Sequence, residues 1–282
     1  MLEDPITYAA EIQTENAVAM SPRAQGGLRL VGKRRGADTV ISDLRQEGSL
    51  KALFPNVRRA ALDAVFLNTA GGLTGGDHMH IAASALEDAH IVLSSQAAER
   101  AYRAQPGQIA QAHVKLQAEA GGRIDWLPQE TILFDHAALD RRMHVHLATD
   151  ATALIVEPIV FGRVAMGEDV HALRLTDHWR VWRDGSLVFA DAVRLIGDAK
   201  RLMQRTAIGA RAGAMATILF ASPKAAAFVD GFDLPETCGV NLIRDDLLLI
   251  RMLAKDGFAL RRQLIPVVEG LSAAPIPRVW RL

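Results

Sequence analysis

"AQAHVKLQAEAGG", residues 110–122, is the stretch whose reading decides the fold class. Ala110, Ala112, Val114, Leu116 and Ala118 alternate with Gln111, His113, Lys115, Gln117 and Glu119, and Gly121-Gly122 closes the run as a turn. A period of two puts successive side chains on opposite faces, so this is a strand with one dry and one wet face. "RRMHVHLATDA" (141–151) repeats the pattern, with Met143, Val145 and Leu147 on one face. "DHWRVWRDGSLVFAD" (177–191) holds Asp184-Gly185 between two β-rich arms, and that dipeptide favours a tight hairpin. "ATALIVEPIVFG" (151–162) is apolar almost throughout, the mark of a strand buried on both faces, with one acid inside it. "LLLIRMLA" (247–254) reads as a further buried strand.

Helical signals are fewer and later. "SPKAAAFVDG" (222–231) offers Ser222 as an N-cap, Pro223 at the first helical position and Gly231 past the end. "DGFALRRQLIPVVEGL" (256–271) has Leu260, Leu264 and Val267/Val268 at helical spacing, and Pro266 is expected to kink or end that helix. The prediction is a mainly β chain with a few helices, mostly in the C-terminal half. No regular strand–helix alternation supports a doubly wound α/β fold. Residues 1–26 read as a flexible arm, and residues 27–282 as one domain.

The formal net charge is +0 and no basic stripe stands out, so nucleic acid is not an expected partner. The single cysteine, Cys238, excludes an intramolecular disulfide framework and a multi-cysteine zinc site. The first residues, "MLEDPITYAAEIQTEN", are acidic and lack the apolar core of a signal peptide. No apolar run reaches the roughly 18 residues of a membrane span. The expectation is a cytoplasmic protein, without membrane contact, whose partners are small molecules or other proteins.

"FLNTAGGLTGGDHMH" (66–80) carries the strongest local signal. Gly71 and Gly76 have P-loop spacing, but Asp77-His78 stands where Lys-Ser/Thr is required, and a carboxylate there would repel phosphate. The dinucleotide pattern fails as well, because Leu73 and Thr74 occupy glycine positions. Gly71, Gly72, Gly75 and Gly76 are therefore read as a turn that needs positive φ and close backbone approach. Asp77, His78 and His80 are possible metal ligands, yet on a strand His78 and His80 share a face while Asp77 points away. His144 and His146 make a second His-x-His pair of the same kind.

The linked motifs "LNTAGGLTGGD", "SSQAAERAYRA", "WLPQETILFD", "EPIVFGRVAMGE", "DGSLVFAD" and the C-terminal "PRVW" occur in the order found in the urease accessory protein UreD (UreH) family, which the chain resembles from about Gly27 to Leu282. The long arm and the two His-x-His pairs fall outside that pattern. The resemblance implies a strand-rich stack of β-helix-like sheets and a maturation factor that is not an enzyme. Urease needs two nickel ions bridged by a carbamylated lysine. UreD-like proteins bind apo-urease and UreF, and UreF recruits the GTPase UreG. GTP would thus belong to UreG, this chain would hold no intrinsic cofactor, and nickel(II) would be cargo in transit.

Nickel(II) accepts imidazole, carboxylate and water, and copper competes strongly for such sites, so delivery is better secured by a protected route than by affinity. The resemblance implies a water-filled passage, in which sparse carboxylates must allow an ion both to enter and to leave. Candidate lining acids are Asp77, Glu99, Glu130, Glu157 and Glu168, with Asp135 close by in its motif. The alternative for each is a structural ion pair: Arg163 with Glu157 or Glu168, and Arg100 or Arg103 with Glu99. Two other functional classes stay open, a docking scaffold with no nickel path and a strand-rich acid–base enzyme. The second lacks a G-x-S-x-G or H-E-x-x-H motif.

Overall fold

The computed structural model describes residues 23–57, 59–163, 166–272 and 274–281. β1 (Gln25–Arg35) and β2 (Asp38–Gly48) form a hairpin, and β3 (Leu50–Leu53) follows. From there the chain passes back and forth between two sheets. β4 (Leu62–Asn68), β6 (His90–Ser95), β9 (Arg123–Leu127) and β12 (Thr152–Phe161) pair in parallel in one sheet. β5 (His78–Ala85), β8 (Ala110–Ala118), β11 (Ala138–Leu147) and β13 (Leu173–Arg183) pair in parallel in the other. Each circuit gives one strand to each sheet, which is a β-helix-like coil. Short strands β7 (Glu99–Ala101) and β10 (Thr131–Leu133) pair with one another at the corner between the sheets, and β10 also pairs with β12.

Antiparallel strands finish both sheets. β14 (Ser186–Gly197) returns along β13, and Asp184 and Gly185 turn the hairpin at φ +47° and +75°. β15 (Ala214–Ala221), β16 (Cys238–Arg244) and β17 (Leu247–Ala254) extend the second sheet beyond β12. The first sheet runs β14-β13-β11-β8-β5-β1-β2 and the second β16-β17-β15-β12-β9-β6-β4-β3.

The burial pattern follows from three layers. Leu116, Met143, Val145, Trp179 and Val181 of the first sheet meet Ile91, Leu93, Trp126, Ile155 and Phe161 of the second in one core. The far face of the second sheet, with Leu154, Val156, Ile218 and Ile250, is covered by α2 (Gly257–Ser272) through Leu260, Leu264, Val267, Val268 and Leu271. The second sheet is therefore dry on both faces, and residues 151–162 are apolar without alternation. The first sheet keeps a wet outer face, and residues 110–118 alternate. Each such Leu, Ile or Val contributes about 1.5–3 kcal/mol by leaving water.

Three local expectations need correction. Residues 222–231 do not make an α-helix. Only Ala225–Phe228 close a 3-10 turn, and Ala226 N–H donates outside it to Asp245 O (3.2 Å). Ala225 and Ala227 N–H donate to the carbonyls three residues back, those of Ser222 and Lys224, which is the tighter 3-10 pattern. α2 runs through Pro266 without ending, because both Pro266 and Arg262, whose carbonyl lacks its usual donor, face solvent. A helix not expected, α1 (Ala199–Gln204), is started by the Asp198 side chain accepting from Arg201 N–H at 2.8 Å. The expected arm over 1–26 lies outside the described residues as far as residue 22, and β1 already begins at Gln25. Among the described residues, no helix is long and apolar enough to cross a membrane.

Candidate functional site

Four of the sequence motifs turn out to be successive corners of the coil, stacked on one side of the molecule. Leu73 N–H donates to Arg100 O and Tyr102 N–H to Leu73 O, both at 2.7 Å, which ties the first corner to the second. Phe134 N–H to Ala101 O (3.0 Å) and Gly162 N–H to Leu133 O (2.8 Å) continue the ladder. Tyr102 packs edge-on to Phe134, and the Arg163 guanidinium lies 4.4 Å over the Phe134 ring.

The glycine turn is built for this stacking. Gly71, Gly72 and Gly76 have φ of +79°, +152° and +89°. A Cβ on Gly72 would fall 2.3 Å from Tyr102 Cε2, and one on Gly75 would fall 2.8 Å from Ala104 Cβ. Buried Asp77 clamps the turn, accepting Ala24 N–H on Oδ1 and Thr74 N–H on Oδ2, each at 2.8 Å. The amides of Gly71, Leu73 and Gly76 donate to Asn68, Arg100 and Ile109 carbonyls. Several of the N–H groups that a phosphate cradle would present, those of Gly71, Leu73, Thr74, Gly76 and Asp77, are thus engaged by protein.

Between the sheets, behind these corners, lies a cavity of about 90 Å³ lined by Glu99, Arg141, Glu157 and Asp177 among apolar side chains. Glu157 stands on β12 between the inward residues Ile155 and Ile159. Its Oε1 accepts the Trp126 indole N–H at 2.7 Å, and its Oε2 accepts Arg141 at 2.6 Å. Arg141 also donates to Thr131 Oγ1 (3.1 Å) and to Asp177, its register partner on β13. One guanidinium thus sits between two buried carboxylates. Burial pushes the Glu157 carboxyl up against the pull of Arg141. The two carboxylates in turn hold the Arg141 guanidinium charged despite its own burial.

Glu99 lines the same cavity. Burial raises its carboxyl to about 7, against hydrogen bonds from Asn68 Nδ2 (3.4 Å) and Arg100 N–H (3.2 Å). It ionises near neutrality, where a cation arriving beside it would displace a proton.

The other candidate acids are engaged elsewhere. Glu130 accepts hydrogen bonds from Nε (2.9 Å) and Nη2 (2.7 Å) of Arg261 on α2, across the far face of the second sheet. Glu168 binds Arg163 Nε (2.9 Å) and the amides of Arg163 and Asp135, and Arg163 holds its carboxyl below the usual range. Asp135 accepts the amides of His171 and Ala172 at 2.9 Å. Of the two partners expected for Arg163, it takes Glu168, and Glu157 pairs instead with Arg141, whose guanidinium reaches it from the opposite sheet. Among the described residues, neither Arg100 nor Arg103 forms an ion pair with Glu99, and Arg103 instead reaches Asp135 at 3.8 Å. Nor is any group of three or more His, Cys, Asp or Glu arranged to hold a metal ion. His144 and His146 lie on the outer face of the first sheet around Trp182, His146 stacked at 4.6 Å and His144 edge-on at 5.3 Å.

Arg141, Asp177, Trp126 and Asn68 escaped the sequence reading. The alternation held the signal for two of them. Arg141 falls in phase with Leu139, Met143 and Val145, and Asp177 with Leu175, Trp179 and Val181, so both are charges at inward positions.

The UreD urease accessory protein family model matches residues 24–281. A urease accessory protein UreD of a Ruegeria species is 46% identical over 277 residues, covering 94% of this chain and 93% of the relative. That of Roseobacter denitrificans is 44% identical over 263 residues, covering 93% and 96%. A Bradyrhizobium protein named urease accessory protein UreD 3 is 40% identical over 284 residues, covering 99% of both chains. On this match, which runs through all four stacked corners and the inter-sheet acids, the chain belongs to the UreD urease accessory protein family.

Proposed function

We propose that this chain is a non-enzymatic maturation factor of urease that docks on apo-urease and on UreF, through UreF engages the GTPase UreG, and offers nickel(II) a path through its own interior. Family membership supports the maturation role. The observation that carries the path is the inter-sheet cavity, lined by Glu99, Glu157 and Asp177, where the Arg141 guanidinium pairs with the last two. Carboxylates in a dry interior attract a divalent ion, and Arg141 keeps the empty site from holding uncompensated negative charge. An ion that drew Glu157 and Asp177 from Arg141 would be repelled by that same guanidinium, which favours brief residence over capture. Of the acids considered for the path, Glu99 and Glu157 line this cavity. Asp77, Glu130 and Glu168 brace the fold around it. GTP is assigned to UreG, since Asp77-His78 replaces the Lys-Ser/Thr of a P-loop and the buried Asp77 carboxylate would repel phosphate.

The Glu157–Arg141–Asp177 cluster also favours a second reading, a docking scaffold in which these charges are purely structural. Co-expression of urease subunits, UreF and UreG with wild-type or Glu157→Gln chain separates the two. Glutamine keeps the bulk and an acceptor for Trp126, so the fold and the complex should persist. The path predicts urease that is poor in nickel and activity despite intact complex formation. Full nickel loading by the soluble variant would leave only the scaffold. Urease that matured equally well without this chain would defeat both.

A further inference from the structure

The outer face of the first sheet carries a second set of metal-ligating groups, unrelated to the inter-sheet cavity. Outward positions line up across the strands: Glu47 of β2 opposite Gly27 of β1, Gly27 opposite His80 of β5, His80 opposite His113 of β8, and His113 opposite Arg142 of β11. His78 precedes His80 by two residues and shares its face. Gly27 has no side chain to fill the row. A Cβ there would lie 3.5 Å from Glu47 Cβ and 3.8 Å from its Oε2, so the Glu47 side chain, paired with Arg45, runs alongside the bare glycine. The result is an open hollow of about 610 Å³ lined by His78, His80 and His113 and, on the side of the first hairpin, by Arg29, Arg45 and Glu47.

These spacings suit chelation. Neighbouring strands lie about 4.8 Å apart, and same-face residues along a strand about 7 Å apart. Imidazoles at those separations can converge on one ion at the roughly 2 Å of a metal–nitrogen bond. His113 Nε2 is buried and has no hydrogen-bond partner. In the observed rotamers the groups do not yet converge. His78 and His80 are exposed, so their rings are free to turn, and such side chains change rotamer within about nanoseconds. The other His-x-His pair on this face is committed to Trp182.

We propose that His80 and His113, joined by His78, form a surface site for one first-row divalent transition-metal ion. A set of imidazole ligands suits nickel or zinc and discriminates against magnesium and calcium. The site is independent of the inter-sheet path, and either can fail alone.

The test uses the full chain without a histidine tag, titrated with Ni²⁺ and, separately, Zn²⁺ in equilibrium dialysis. The variants are His80→Ala/His113→Ala and, as a control on the same face, His144→Ala/His146→Ala. Far-UV circular dichroism checks that the outward substitutions leave the sheets intact. The first variant should lose one metal equivalent, or bind it more weakly by well over the roughly tenfold that loss of an outer-shell partner costs. The control should bind like wild type. Unchanged binding by the first variant, equal loss in the control, or no binding by wild type would each overturn the assignment.

Discussion

Replacing Glu99 by glutamine should flatten the fall in stability that the wild-type chain shows as pH rises toward neutrality. In the folded chain burial holds the Glu99 carboxyl at about 7, against 4.5 for the free side chain. Between those values the folded protein keeps a proton that the unfolded chain releases, so stability decreases with rising pH. The contribution of Glu99 is fully present below the unfolded value and is lost as pH passes through about 7. At about 1.36 kcal/mol per pH unit, the gap from 4.5 to about 7 corresponds to about 3 kcal/mol. Glutamine keeps the shape and cannot ionise, so its curve should lack this slope. Asp125, Asp135 and Glu168 have carboxyls held below their usual range, and their stabilising effect is lost only in more acidic solution. Urea unfolding followed by far-UV circular dichroism at about pH 5 to 8 and constant ionic strength is the assay. The two curves should diverge by about 3 kcal/mol across that interval. Parallel curves would refute the buried, proton-holding Glu99 on which its place in the path depends.

Glu157→Leu leaves Arg141 with one carboxylate and the Trp126 indole without its acceptor, a loss of about 3–5 kcal/mol. Glu157→Gln should cost less, so urea midpoints should rank wild type, Gln, Leu, and the reverse order of the two variants would count against the pairing. At Gly71 an added Cβ meets nothing within 4 Å, and Gly71→Ala should cost only the backbone strain of about 1–2 kcal/mol. Gly72→Ala brings Cβ to 2.3 Å from Tyr102 and should be much worse, and equal thermal shifts for the two would argue against the stacked corners. Trp280 is buried, donates to Leu127 O at 2.9 Å and lies under Arg261, so Trp280→Ala should lower stability by about 3–5 kcal/mol in thermal melts.

Local alternation was enough to read the strands, because side-chain period depends only on a strand's own faces. Residues 110–118 lie on a one-sided sheet and alternate, and residues 152–161 lie between a sheet and a helix and do not. The Asp184-Gly185 hairpin was legible because positive φ is written in the dipeptide itself. Helix endings were less so. Pro266 is tolerated because of where it faces, and facing is a tertiary property. At the site, the lone acid Glu157 announced itself inside an apolar run and Arg141 fell in an inward phase, but nothing in the sequence paired the two. Arg141 is sixteen residues away in the chain and on the other sheet, so only the coil brings the two together. The stacking of four motifs into adjacent corners was equally hidden, since nothing in a single motif states which other motif it touches.

The way the two sheets end has its own consequence. A coil of parallel strands with bare ends is a template, because each terminal strand offers unpaired amides and carbonyls to any chain that can extend it. Here every end is blunted. The outermost pairs β1–β2, β13–β14 and β16–β17 each carry a register shift, at Val31/Gly32, Val181/Trp182 and Leu242/Arg244. The fourth end, β3, is only four residues long. Irregular pairing bends and twists the last strand away from the geometry a newcomer would need. The chain can thus present broad, open sheet surfaces to other proteins while its edges resist growth into fibres.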